Sequence, residues 1–506
     1  MRRTFRLAFA FCLVLTPAWC LAGEPKRPAE PAAGSQPPVL EKPTEPKTAR
    51  SDLAAAKSGD AKAAVRRGLE YYQSIMQRGK WGQGGGWAAT YSEDLSRRGG
   101  EANQNIPQDV IRIQPCGTPN VGHVFLRASQ VLGDATYLEI AKQVAETLML
   151  GQSSHGGWNY EMWLSADGPK GIHVWPGRTD WGKKEPRPSD LGVLDDQTSF
   201  APAEFLYTMW MVTKDEKYHQ AWLKAMDFLL VCQLPGGGYR QTYPGSGYHA
   251  YATFNDGVML NTVNTLLLAY RRTADERYLK SAVRCGDFLI KAQAKGGGYG
   301  TQITDEGKIA EARKFEPPGL GPDATRDAIS ILATICDWTG EVRYLAPLDK
   351  AAAWLEKVKI GPNKWARYYH PDTDKPWYRD INGKDVASAA EAKPKYTWEG
   401  SWGAAGIAEA NACAGKGPGK PRTAKEKGDA LMGFRLRGGG IGGMQGGGKF
   451  RETVEKIIAS QDEKGRWVSK KRIHTAQWVC YMERLLDAVE QVAAKKPRQT
   501  RKATGG

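Results

Sequence analysis

One register recurs along this chain and restricts what it can fold into. Tyr137, Tyr218 and Tyr278 each follow a short polar turn (GDAT, KDEK, DER), and each is followed fifteen residues later by a glutamine: Gln152, Gln233 and Gln293. A fourth copy at Tyr344 follows GEVR and reaches Lys359 where the glutamine would stand. After each glutamine come a glycine-rich turn and an aromatic residue, Trp158, Tyr239 or Tyr299. The ending recurs in Gln461 to Trp467 (QDEKGRW), and Gly84 to Trp87 (GGGW) opens the series. Between these markers the apolar residues fall at helical spacing, as in Tyr278, Leu279, Ala282, Val283, Cys285, Phe288 and Leu289, and a second apolar run such as Val263 to Tyr270 precedes each polar turn. Each unit therefore reads as a helical hairpin, and tandem hairpins bury a shared core. A period of roughly sixty to eighty residues is too long for tetratricopeptide or HEAT arrays and fits an all-α fold, an α/α toroid of tandem hairpins with long loops at one end. Convincing strand alternation is absent, and the chemistry is expected on the loops, because the helices are committed to packing.

The ends and one insertion fall outside this pattern. Residues 1–22 show a basic start, an apolar run from Leu7 to Leu15 and a small residue at Ala22, the order of a secretory leader too short to span a bilayer. Residues 23–51 are a Pro/Lys-rich linker, the toroid is expected over 52–494, residues 416–449 are a Gly/Lys-rich insertion, and 495–506 form a basic tail. A secreted or periplasmic protein, monomeric and without an integral membrane span after leader removal, is expected. The formal charge of +16 becomes +13 once the three leader arginines are removed, which points to a polyanionic partner or an anionic surface. Six cysteines remain (Cys116, Cys232, Cys285, Cys336, Cys413, Cys480), none in a CxxC, so zinc and thioredoxin chemistry lack support. No HExxH, GxSxG or phosphate cradle is present.

Two stretches carry candidate chemistry. In ATFNDGVM, Asn255 and Asp256 form a polar pair at the mouth of an apolar helix, and Asp305 recurs after the next GGGY turn. Loops of neighbouring hairpins meet at one end of a toroid, where two carboxylates would hold calcium or act as the acid and base of a glycosidase. Asp195 and Asp196 (VLDDQ) offer themselves as companions of Asp256, although helix capping is the preferred reading for them. The second stretch is WARYYHPDTDKPWYRD, where Arg367 and Arg379 stand among aromatics with Lys384, Lys393 and Lys395 close by. This basic set suits a carboxylate-bearing ligand. YTWEGSW extends the aromatic wall through Trp398, and the GGGYRQTYP turn offers Arg240 and Tyr243 as further substrate contacts.

Together GGGYRQTYP, ATFNDGVM, FEPPGL, the WARYY and PWYRD pair, YTWEGSW and the terminal QDEKGRW and IHTAQWV resemble the pectate lyases of polysaccharide lyase family ten. The likeness covers about 191–486 and is strongest over 191–402. It implies an α/α toroid that cleaves polygalacturonate by calcium-assisted β-elimination, with no nucleic acid as partner. By that resemblance Asp256 is a calcium ligand with Asn255 beside it and Asp305 the second acidic ligand. Arg379 is similar to the proton-abstracting arginine, and Arg367 and Lys395 would contact substrate carboxylates. Gly257 and the GPDAT run at Gly321 to Thr325 depart from the family pattern. The alternatives are a non-catalytic toroid that binds acidic glycans, a toroid glycosidase using paired carboxylates, and a terpene cyclase-like protein. The last lacks its DxDD motif.

Overall fold

Twelve α-helices are present among the described residues, which in this computed structural model are 58–79, 84–100, 105–172, 188–415 and 452–495. In chain order they are α1 (Ser58–Ser74), α2 (Thr118–Leu132), α3 (Ala135–Leu150), α4 (Phe200–Thr213), α5 (Glu216–Val231) and α6 (Val258–Thr273). Then follow α7 (Glu276–Ala292), α8 (Pro322–Thr339), α9 (Ala346–Lys357), α10 (Ala404–Cys413), α11 (Val454–Ala459) and α12 (Thr475–Lys495). The expected leader, the linker, the insertion and nearly all of the basic tail lie outside the described residues. No helix among those described is long and apolar enough to cross a membrane.

The register defines the helix starts. Asp134, Asp215 and Asp275 cap α3, α5 and α7 by accepting hydrogen bonds from the backbone N–H groups of Thr136, Lys217 and Arg277. Tyr137, Tyr218 and Tyr278 are each the third residue of their helix and buried, whereas Tyr344, also buried, sits in the 3-10 turn Val342–Tyr344 just ahead of α9. Even-numbered helices line the interior: α12 packs on α2, α2 on α4, α6 on α8 and α8 on α10. Odd-numbered helices pack outside them, and α1 lies against both α11 and α12, so the last unit meets the first. This is an α/α toroid.

Adjacent units are joined through the glutamine and glycine of the register. The Gln152 amide donates to Gly156 O at 2.8 Å and to Ala221 O on α5 at 3.0 Å. Gln233 donates likewise to Gly237 O and to Ser281 O on α7, and Gln293 to Gly297 O and to Pro347 O on α9. Gly237 and Gly297 have φ of +117° and +112°, and a Cβ there would lie 2.4 and 2.2 Å from the carbonyls of Arg284 and Lys350 on the next outer helix. Only glycine permits both the backbone angle and that approach.

Long loops gather at the end where the inner helices begin, and short strands join them: 192–193 with 242–243, 252–253 with 302–303, and 472–474 with 90–92. The hairpin of Glu161–Ser165 and Gly168–Ile172 was not expected from the sequence. Its buried positions do not alternate cleanly, so the period-two signal is lost. All six expected cysteines are free thiols, with Cys232, Cys285, Cys336 and Cys413 buried.

Candidate metal centre

Two loops enter neighbouring inner helices in the same conformation. Ahead of α4, Asp196 and Gln197 have φ of 48° and 60°; ahead of α6, Asp256 and Gly257 have 47° and 71°. Left-handed backbone costs most residues about 1 kcal/mol, and Asp and Gly are among those that tolerate it. Gly257, a departure from the family pattern, thus meets the local backbone requirement. The Asp195–Asp196 and Asn255–Asp256 pairs are therefore equivalent positions of adjacent units.

The two turns bring Asp195, Asp196 and Asp256 together, with one carboxylate oxygen of each within 4.8 Å of the others. Capping, the reading preferred from sequence for Asp195 and Asp196, is overturned, since Ser199 precedes α4 with no side-chain cap at all. Asp195 is buried and accepts from Tyr160 Oη (2.7 Å), Gln241 Nε2 (2.7 Å) and Asn255 Nδ2 (3.1 Å). Asn255 also donates to Asp256 Oδ2 at 2.6 Å, so its amide spans two of the three carboxylates. Asp196 accepts from Gln114 Nε2 at 2.5 Å. Arg112 holds Gln114 in turn and pairs with Glu161, so a chain of buried side chains from the first two units supports the site.

Desolvation, followed by the charges of Asp195 and Asp196, pushes the Asp256 carboxyl well above the ordinary carboxylate range, with Arg367 acting in the opposite sense. The Asp256 side chain still reaches solvent, so like-charge repulsion is the sturdier of the two causes. An all-oxygen set of three crowded carboxylates matches what a hard divalent cation such as calcium takes, and a cation would relieve that repulsion.

Arg367 is near enough for its charge to act on Asp256. Its Nε donates to Thr397 O at 2.7 Å, its guanidinium lies over the rings of Tyr396 (4.6 Å) and Trp402 (5.2 Å), and Asp323 is 3.9 Å away. Burial alone would lower its pKa, but the surrounding Tyr396 and Asp323 leave it above the ordinary arginine value, held as a cation.

Other expected site residues stand elsewhere. Asp305 is not a member of the acidic group; its Oδ1 accepts from Gly236 N at 2.7 Å, closing the glycine turn of the preceding unit. Arg379 is clamped by Glu311 and by Asp385 (3.0 Å) and lies over Trp377 at 5.0 Å. Trp398 is buried behind Tyr396, its indole donating to Lys393 O, and has no face left for a ligand. Lys384 and Lys395 are exposed, Lys384 on the tight turn after Asp380. Gln241 reaches Asp195, whereas neighbouring Arg240 lies over the Tyr243 ring at 5.5 Å. The sequence signal for Asp195 and Asp196 was present, because the criterion that singles out Asn255–Asp256, a polar pair at the mouth of an apolar helix, fits them equally. Gln114, Tyr160 and Gln241 carry no such signal; only the fold brings them to the carboxylates.

Solved structures similar to this chain include a mutant of a family 10 polysaccharide lyase from Cellvibrio cellulosa in complex with trigalacturonic acid. It is 19% identical, with a TM-score of 0.43 over 58% of this chain and 98% of that one. A family 76 glycoside hydrolase, an α-mannanase from Bacteroides thetaiotaomicron, is 10% identical over 88% of this chain and 99% of that one, with a TM-score of 0.41. No curated protein sequence matches the chain. The family model described as pectic acid lyase matches residues 152–269, which contain Tyr160, Asp195, Asp196, Gln241, Asn255 and Asp256.

Proposed function

We propose that this protein is a polysaccharide lyase that cleaves polygalacturonate by calcium-assisted β-elimination. The observation that carries the reading is the convergence of Asp195, Asp196 and Asp256 at the mouths of two adjacent inner helices, inside the segment that matches the pectic acid lyase family. These three residues would hold calcium, which when bound neutralises uronate carboxylate charge and acidifies the adjacent C–H. Asn255 and Gln114 keep the ligand carboxylates in place. Arg367, near this group, binds the uronate carboxylate.

In the elimination the proton on C5 passes to a base, the C4–O bond breaks and a C4–C5 double bond forms, while the departing oxygen takes a proton from solvent. Arg379, the base implied by resemblance, is occupied by Glu311 and Asp385. Lys384 and Lys395 are exposed, so this reading gives the proton-accepting role to an Nη atom of Arg367. Without metal Arg367 is a cation and must first release a proton to solvent; a cation at the carboxylates would favour that release.

A glycosidase using paired carboxylates is the second reading, favoured by the raised Asp256. Its acid and base stand about 5–5.5 Å apart in retaining enzymes and farther in inverting ones. Contacts within 4.8 Å favour a shared cation instead. Incubating polygalacturonate with the protein, with and without a chelator, distinguishes the readings. Calcium-dependent growth of the ultraviolet absorbance of unsaturated uronate is expected, and chelator-insensitive hydrolysis without that absorbance would overturn the proposal.

A further inference from the structure

A second groove, of about 880 Å³, lies away from the carboxylates, among the loops of the first two units. Gln77, Arg78, Tyr91, Arg98, Asp109 and Trp163 are among its lining residues. Its acidic groups are already engaged: Asp109 accepts from the Trp163 indole N–H at 2.8 Å, and Asp167 pairs with Lys170 at 3.2 Å. Among the described residues its arginines are not: Arg78 is exposed and donates only to the neutral Gln143, and the Arg98 guanidinium lies 6.0 Å from the Tyr91 ring with a buried Nε that has no partner there. Among the described residues neither arginine meets a carboxylate. The floor is rigid, since Gln77 spends its amide N–H groups on the Gln108 and Val110 carbonyls and its oxygen on Tyr91.

The strand Glu161–Ser165 connects this groove to the candidate metal centre. Tyr160, just before it, donates to Asp195, and Glu161 belongs to the buried chain that ends on Asp196. Trp163 is three residues beyond Tyr160, roughly 10 Å along extended backbone. A linear polymer seated at the carboxylates could thus lie across both places.

We propose that this groove is a remote subsite for uronate residues of an acidic polysaccharide, a class of ligand that rests on the function proposed above. Trp163 offers an indole to the apolar face of a sugar ring while its N–H is satisfied by Asp109. Arg98 and Arg78 supply guanidinium groups to uronate carboxylates, the geometry in which arginine binds carboxylate best. No metal ligand is involved, so binding here does not require calcium.

The test uses the full chain with Arg78→Ala, Arg98→Gln and Trp163→Ala, checked for unchanged melting temperature. Calorimetry in chelator measures binding of long oligogalacturonates, of trigalacturonate and of a neutral mannan. The expected result is calcium-independent binding of the long oligomers that falls about tenfold in each variant, with the mannan not bound. In calcium, the KM for polymer rises while turnover of the trimer is unchanged. Binding that no folded variant weakens, or equal binding of the mannan, would overturn the subsite. Arg78 is exposed, so its variant keeps the test decisive if the other two fail to fold. Loss of the function reading appears separately, as absence of calcium-dependent product while the binding arm still reports on the groove.

Discussion

The side-chain amide of Gln461 donates to the backbone carbonyl of Ala64 at 3.0 Å, joining residues 397 positions apart. The same amide donates to Gly465 O, and its oxygen accepts from Arg67 at 2.8 Å. These bonds repeat between the last and first units the contacts that Gln152, Gln233 and Gln293 make between internal neighbours. Gln461→Ala should destabilise the protein by about 1–3 kcal/mol, since it leaves buried carbonyls unpaired. A melting temperature equal to that of the parent chain would show that ring closure does not depend on this residue.

The register glycines make a sharper prediction. Gly297→Ala forces both a φ of +112° and a Cβ 2.2 Å from Lys350 O, so it should cost more than about 3 kcal/mol. Gly133→Ala, at φ 67° with nothing within 4 Å of its Cβ, should cost about 1 kcal/mol. Chemical denaturation of both variants compares the two directly.

Calcium affinity separates the structural reading of the acidic group from the one drawn from sequence. Asp195→Asn and Asp256→Asn should each weaken calcium binding at least tenfold in calorimetry, whereas Asp305→Asn should leave it unchanged. Asparagine at 305 retains an oxygen for Gly236 N–H. A comparable loss on changing Asp305 would contradict the grouping found here.

For the two arginines, Arg367→Ala should abolish uronate elimination with little change in stability. Arg379→Ala should loosen the loop held by Glu311 and Asp385 and retain measurable product. Single-turnover absorbance together with thermal melting distinguishes them, and the reverse pattern would return the base to Arg379.

A pH effect on stability follows from Asp327, buried in α8. Desolvation, with Asp323 and Glu409 adding to it and Arg326 opposing, raises its pKa to about 6. Because the folded value is the higher one, the stabilisation is fully present below the unfolded pKa of about 4 and is lost as pH rises through about 6, a change of about 3 kcal/mol. Asp327→Asn should flatten this part of the stability curve. Denaturation midpoints at pH 4 and 7 for both proteins provide the check.

The sequence by itself determined the repeat. Tyrosine, glutamine and glycine at fixed spacing specify a helix start, a bond to the next unit and a turn that only glycine can make, all of which act locally or between neighbours. It also marked Asp256, since a polar pair opening an apolar helix is visible in one dimension. Which carboxylates share a cation was decided by the tertiary structure. Asp195 and Asp196 look like capping residues until two loops some sixty residues apart adopt the same left-handed turn and face each other. Asp305 and Arg379 showed the converse: residues of the right type in the right loops were taken by Gly236 N–H and by Glu311 and Asp385. Charged side chains are long and find whichever partner the packed loops place within reach, and that choice is not encoded in spacing along the chain.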